Sequence, residues 1–543
     1  MLSYASLMRS MKKVLPWISL LMSLGAGLAF KKEWYGPWTT LIWLVAIVFW
    51  IWWGIFLKVK ERNTTKTTKT EIVLLGLLLI IGLGLRVYRL DKLSMGLWTD
   101  EIEISAAGKN LMGKMISLKS FLPFTTEATG HPGLTAIFTG LGLKIFGNNV
   151  WGLRLPSVLF GLFSIVPLYL LIKELFGDKV GLAAGWIYGV SYWQLSLTRI
   201  AFEAGYFWFF FNWCLWALVR FHKEKSLNYL MWLGVFCGLG LYTYQAFRLL
   251  FFGFLVIVGI EAFWFQKKGL LWTLFSLTLL GLSFGMMIIP FFFYWRHYPQ
   301  AVFDRANDVS IFNQKFAGVN RIQMIGENSW KTVGMLFWQG DPNLRHNMAQ
   351  RPVLNLVEGV LLLAGLAMIL VKKQYFILVT IIILGGISAA SGIFTYEPPY
   401  IIQPHSLRTL GLLPLACLVM AVTLAGISKR IGWKWIIILV LVCGVTNLKN
   451  YFGVKVTKEI YDAFQTDQTR TARLVAGTCG SMPTISGSLI NKPHLEFLAS
   501  RCRYQVFNGT QRSGLLILSE SDYQKTDDKE KTTKVSFETW LTE

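Results

Sequence analysis

Apolar residues run in long unbroken stretches through this chain, separated by short polar segments. Such stretches begin near residues 14, 38, 72, 150, 180, 204, 228, 248, 270, 353, 374, 407 and 432. Many reach the roughly 20 residues that carry a helix across a bilayer. They are continuously apolar instead of alternating, which predicts helices and not barrel strands. The pattern therefore predicts an all-α polytopic membrane protein of about 13 spans. His131 to Phe146 is also apolar but short of a comfortable span, and is expected to form a re-entrant or membrane-surface helix. Past about Asn450 the pattern changes. Short stretches at Tyr504 to Phe507 and Leu515 to Leu518 predict strands in a small α/β lobe.

Charge adds a direction to this layout. The formal net charge is +23, and much of it lies in short segments between apolar runs. In a membrane protein such clusters mark the cytoplasmic side, so they give no reason to expect a nucleic-acid partner. Arg9, Lys12 and Lys13 precede the first run, and Lys58, Lys60, Arg62, Lys66 and Lys69 follow the second. Arg220 to Lys225, Lys267-Lys268, Lys372-Lys373 and Lys429-Arg430 fall on the same side if the spans alternate and His131 to Phe146 does not cross. The expected topology is a multi-pass cell-membrane protein with its N-terminus cytoplasmic and its C-terminus extracytoplasmic. Three parts follow: an appended hairpin and linker over 1–71, a membrane domain over 72–450, and an extracytoplasmic domain over 451–543. The outer loops of the membrane domain cover about 89–149 and 294–352.

Cysteine usage changes little. Cys214, Cys237, Cys417 and Cys443 lie in apolar runs as small packing residues, while Cys479 and Cys502 in the tail can pair in an oxidising compartment. The first apolar stretch lacks a small-residue cleavage signal and reads as an anchor.

The chemistry is carried by the outer segments. Asp100-Glu101 follows an apolar helix ending near Tyr88, and ionisable groups kept beside a membrane span are candidates for function. After it come His131-Pro132-Gly133, Arg154-Leu155-Pro156-Ser157, Glu174-Leu175-Phe176-Gly177, and Arg199 followed by Glu203. In this order and spacing the chain resembles the dolichyl-phosphate-mannose protein mannosyltransferase superfamily, glycosyltransferase family 39, whose bacterial members include aminoarabinose transferases of lipid A. The resemblance covers about residues 72 to 425 and is strongest from Trp98 to Glu203. Tyr242-Thr243-Tyr244, Gly340-Asp341 with Arg345-His346-Asn347, and Pro404 to Arg408 also look similar to bacterial members.

The resemblance implies a GT-C glycosyltransferase that moves a sugar from a polyprenyl-phosphate donor to a protein, lipid or glycan acceptor on the outer face, with inversion. It implies Asp100 as the base, with Glu101 beside it, and Glu203 as the second acid, where many relatives have Asp. The usual His-Pro-Pro is His-Pro-Gly here.

The residues fit that chemistry in their own right. A sugar leaving as a polyprenyl phosphate departs on a weakly basic anion, so one carboxylate must take the acceptor's proton while cations meet the phosphate. Arg199, Arg305, Arg345, His346 and Arg408 are the candidate phosphate ligands, with snorkelling an equal reading for Arg408. Arg154 is expected instead to order a helix start or to pair with an acid such as Glu101. Tyr242 and Tyr244 are candidates for a sugar pocket, weighed against aromatic-belt residues. Asp100, Glu101, His131 and Glu203 are a possible divalent-metal set, with His131 more often a hydrogen-bonding post. Asp341 and Asn343 are expected to shape the second long loop. The alternative is a transporter or flippase of polyprenyl-linked cargo; paired broken helices in two matching halves, common in transporters, are not found in the sequence.

Overall fold

The computed structural model describes residues 4–57, 68–93, 96–116, 133–316, 318–396, 402–508, 515–524, 532–534 and 539–542. His131 and its Pro132 lie outside them. Nine helices among the described residues are long and apolar enough to cross a membrane. They are Lys12–Lys31, Pro37–Phe56, Lys69–Val87, Val150–Phe176, Gln245–Phe265, Gly269–His297, Tyr375–Ile393, Leu412–Arg430 and Trp433–Phe452. Not every one of the about 13 spans read from the sequence has a helix of that length among the described residues. Near residue 180 the chain breaks into Asp178–Gly189 and Tyr192–Thr198, and the stretches near 228 and 353 form Asn228–Leu241 and Leu356–Val371, each under 18 residues. Ala204–Glu224 has the length, but its Trp, Tyr and Asn212 and its charged end dilute its hydropathy. Gly133–Phe146 spans 14 residues, as short as expected of a segment that does not cross.

Local chemistry starts these helices where the sequence places them. Thr68 and Glu71 form a capping box at Lys69–Val87, and Asn355 and Glu358 form another at Leu356–Val371. Asn149 caps Val150–Phe163 by accepting from the Gly152 amide. Leu412–Arg430 is 78% buried and Lys69–Val87 only 22%, so the former is the central post of the bundle and the latter lies at its rim. The N-terminal hairpin docks through two tryptophans. Trp43 Nε1 donates to the Met286 carbonyl at 2.7 Å and Trp50 Nε1 to Ser283 at 2.8 Å.

The C-terminal segment forms an α/β lobe. Gln505–Val506, Thr484–Ile485 and Leu516–Ser519 run parallel, and Thr539–Thr542 and Thr532–Lys534 extend the same sheet antiparallel. Strands appear within both stretches read as strands from the sequence, Tyr504 to Phe507 and Leu515 to Leu518. Cys479 and Cys502 are joined by a disulfide across the lobe.

This lobe grips the segment just before Asp100. The Leu97 amide donates to Thr469 Oγ1 at 2.8 Å, His494 Nε2 meets the Leu97 carbonyl at 2.5 Å, and Thr99 donates to Gln465 at 2.9 Å. Gly96 is required there, because a Cβ would lie 2.1 Å from the Phe464 carbonyl oxygen. Asp100 then opens the helix Thr99–Ile116, whose first turn favours acids through the helix dipole.

Candidate active site

Two adjacent groups of polar residues gather the sequence's candidates at one end of the bundle. The first surrounds the Asp100 loop. Trp98 is buried against Phe202, with ring centroids 5.3 Å apart, and carries the Arg345 guanidinium over its face at 4.2 Å. His346 meets the edge of the same ring. Asp100 itself is partly exposed at the helix start.

Glu101, one residue on, turns the other way. Both its oxygens are taken at 2.7 Å by the fork of Arg154, and the Ala201 amide adds a third bond at 2.8 Å. Acid and guanidinium are 0% and 1% exposed. Arg154 also donates to the Leu90 and Gly96 carbonyls. Glu101 is thus a buried brace and not a catalytic acid: both its oxygens are engaged and neither reaches solvent. The Arg154 pairing read from the sequence is the one observed.

The second group centres on Tyr244. Burial pushes its hydroxyl up to about 12, in the combined fields of Arg408, Glu203 and Arg305. Glu203 is buried at the start of Ala204–Glu224, Arg408 is partly buried, and Arg305 is exposed on Pro299–Val309. Arg248 holds that last helix by donating to the Val302 carbonyl at 2.7 Å. These four residues, distant in sequence, share one electrostatic neighbourhood.

Three candidates serve other roles than the sequence suggested. Arg199 is wholly buried and donates to the carbonyls of Leu85, Arg86 and Tyr88, satisfying the open end of Lys69–Val87, with its plane on Tyr451 and Phe452. It is a helix cap, not a phosphate ligand. Tyr242 is buried with its hydroxyl on the Met287 carbonyl at 2.8 Å, so it packs helices together and lines no sugar pocket. His346 is buried too, with Nδ1 3.3 Å from Asp341, and presents no surface to a lipid phosphate.

Asp341 was expected to shape its loop, and it joins two loops. Oδ1 accepts from the Asn343 amide at 2.8 Å, and Oδ2 accepts from both the amide and hydroxyl of Ser406 at 2.7 Å. Burial alone would raise this acid, but the His346 hydrogen bond and the fields of His346 and His405 hold it below the usual carboxylate range. His405 lies beside it, with its ring 4.9 Å from that of His346; burial drives its pKa well below 6.5 against the pull of Asp341. His405 was quoted in the sequence only within Pro404 to Arg408, and no spacing rule links it to a partner more than 50 residues earlier.

The possible metal set of Asp100, Glu101, His131 and Glu203 loses one ligand. Glu101 is committed to Arg154, and His131 lies outside the described residues. The group of metal-capable side chains among the described residues is Asp341, His346 and His405.

Architecture and site together describe a multi-pass helical membrane protein with charged residues collected at one end of its bundle. Residues 130–292 match the family model described as dolichyl-phosphate-mannose-protein mannosyltransferase. The resemblance first read from the motifs is thus borne out over that stretch, which holds Arg154, Glu203 and Tyr244 but not Asp100. The chain is 30% identical over 183 residues to the undecaprenyl phosphate-alpha-4-amino-4-deoxy-L-arabinose arabinosyl transferase 1 of Pseudomonas fluorescens, covering 31% of each chain. It is 25% identical over 192 residues to the Bacillus subtilis protein YkcB, covering 26% of that protein. The matched stretch therefore spans about a third or less of either curated relative. Among solved structures, ArnT from Cupriavidus metallidurans aligns with 87% of this chain and 98% of its own at 12% identity and a TM-score of 0.48.

Proposed function

We propose that this protein is a membrane glycosyltransferase that moves a sugar from a polyprenyl-phosphate carrier to a hydroxyl acceptor at the extracytoplasmic face. The family match over 130–292 supports the class, and the relative from Pseudomonas fluorescens is named for an undecaprenyl-phosphate donor. The single observation that carries the reading for this chain is the stacking of Arg345 on Trp98 at 4.2 Å. It brings a cation from the second long loop onto the residue two positions before Asp100, across more than 200 residues of chain.

In this reading Asp100 takes the acceptor's hydroxyl proton as its oxygen attacks the anomeric carbon. The carbon–oxygen bond to the phosphate breaks on the opposite face, which inverts the centre, and its electron pair leaves with the polyprenyl phosphate. Arg345 and Arg408 stabilise that anion, each by a planar fork suited to two phosphate oxygens. Tyr244, Glu203 and Arg305 border the space where the sugar would sit. The disulfide between Cys479 and Cys502 supports an oxidising, extracytoplasmic home for the lobe that grips Leu97.

The test is to reconstitute the protein in vesicles with labelled polyprenyl-phosphate aminoarabinose, mannose or arabinose and extracted envelope lipids, glycans and proteins as acceptors. Free polyprenyl phosphate and a glycosylated acceptor in equal amounts are expected by mass spectrometry. Translocation of labelled carrier lipid with no product from any donor would favour the flippase reading instead.

A further inference from the structure

We propose that Asp341, His346 and His405 form a binding site for a divalent transition-metal ion, of the kind that zinc occupies. The donor set is the first reason. Two imidazoles and a carboxylate suit zinc, whereas magnesium and calcium take oxygen ligands. One ligand atom from each residue lies within 4.8 Å of the other two. Bonds of about 2.0–2.1 Å around tetrahedral zinc separate neighbouring ligands by roughly 3.4 Å. Shifts of side chains by about an ångström close that difference.

The second reason is what the rings leave unmet. His346 is 3% and His405 4% exposed, yet His346 Nε2 and His405 Nδ1 are buried without a hydrogen-bond partner. A buried nitrogen left unmet is costly, and a cation held beside the His405 ring would engage its Nδ1. His346 Nδ1 and Asp341 Oδ2 already stand 3.3 Å apart, close to the separation of neighbouring ligands around tetrahedral zinc. Asp341 is itself anchored by Asn343 and Ser406, so the site is held rigid before any ion arrives. Three ligands leave one tetrahedral position for water or a substrate oxygen.

The consequence is local order. A metal here would rivet the loop 341–351 to the loop 402–408, and through His346 and Arg345 to the Trp98 face beneath Asp100. The proposal is independent of the glycosyl-transfer reading, since metal binding is read without substrate.

The experiment uses the full-length protein in detergent, stripped with chelator and then titrated with zinc ion alone against a chromophoric competitor. One equivalent should bind, and the thermal midpoint should rise with zinc and fall back with chelator. His346→Asn and His405→Asn should each weaken binding at least tenfold while helical circular dichroism stays at the wild-type level. Cobalt ion added to the stripped wild type reads the ligands directly, and keeps the test decisive even if a variant misfolds. Visible bands without a thiolate charge-transfer band are expected, which separates this site from the buried thiols of Cys214, Cys237, Cys417 and Cys443. Absence of stoichiometric zinc in folded wild type, a thiolate spectrum, or undiminished binding in the folded His346→Asn/His405→Asn double variant would overturn the proposal.

Discussion

Glu101 and Arg154 face each other as a two-pronged ion pair, both contacts 2.7 Å, in a site where neither side chain meets solvent. Fifty-three positions apart in sequence, they fix the helix that begins beside Asp100 to the start of Val150–Phe163. Removing one partner leaves a buried charge alone, which costs about 3–5 kcal/mol. Arg154→Ala and Glu101→Gln are therefore expected to lower the thermal midpoint sharply and to reduce yield. Unfolding monitored by circular dichroism in detergent checks this; a midpoint within a degree of wild type would show that the pair braces nothing.

Arg199 and Arg345 look alike as candidates in the sequence but occupy opposite roles. Arg199 caps the carbonyls that end Lys69–Val87, whereas Arg345 is partly exposed on Trp98. Arg345→Ala should weaken donor binding by tenfold or more with little loss of stability. Arg199→Ala should do the reverse, lowering the thermal midpoint while the surviving folded fraction keeps its KM. Donor titrations paired with melting curves for the two variants separate these outcomes.

Gly140 allows Gly133–Phe146 to touch the helix that carries Asp100. A Cβ on Gly140 would lie 2.4 Å from the Gly108 carbonyl oxygen, and one on Gly108 would lie 2.6 Å from the Ala136 carbonyl oxygen. Gly140→Ala must push the helices apart, at a cost of about 1–3 kcal/mol for overpacking. The expected result is a lower melting point and a kcat reduced more than tenfold, because Asp100 moves with its helix. Unaltered kcat would mean that the position of this helix is irrelevant to turnover.

His494 makes the grip of the lobe on Leu97 sensitive to acid. Burial lowers its pKa below 6.5, partly offset by the Leu97 carbonyl and Glu101. The unfolded chain then binds a proton that the folded chain refuses, so the contribution of this histidine is present above pH 6.5 and is lost as pH falls below that value. Stability should decline from about pH 6.5 downward, and His494→Gln should flatten that part of the profile. Melting points across pH 5 to 8 measure it.

The membrane class was legible because a bilayer demands long apolar helices, and the central strand of the lobe because Leu515 to Leu518 is a short apolar run between Gly514 and Ser519. The span count was less so, since the apolar stretch near residue 180 breaks at Val190 and Ser191 into Asp178–Gly189 and Tyr192–Thr198 inside a packed bundle. Asp100 and Arg345 could be singled out by residue type and by the motif they share with a family. Their neighbours could not: whether an arginine faces a lipid phosphate or, like Arg199, three carbonyls depends on contacts more than 100 positions away. His405 carried no signal alone, because its partners Asp341 and His346 approach only when two loops fold together.

The central claim is that Asp100 accepts the acceptor's proton, and the most direct measurement is kcat for Asp100→Asn with labelled polyprenyl-phosphate sugar. An amide cannot take the proton, so kcat is expected to fall by about 10²–10⁴-fold while the melting point and donor binding stay near wild type. Turnover of a stable, donor-binding Asp100→Asn variant at the wild-type rate would contradict the account.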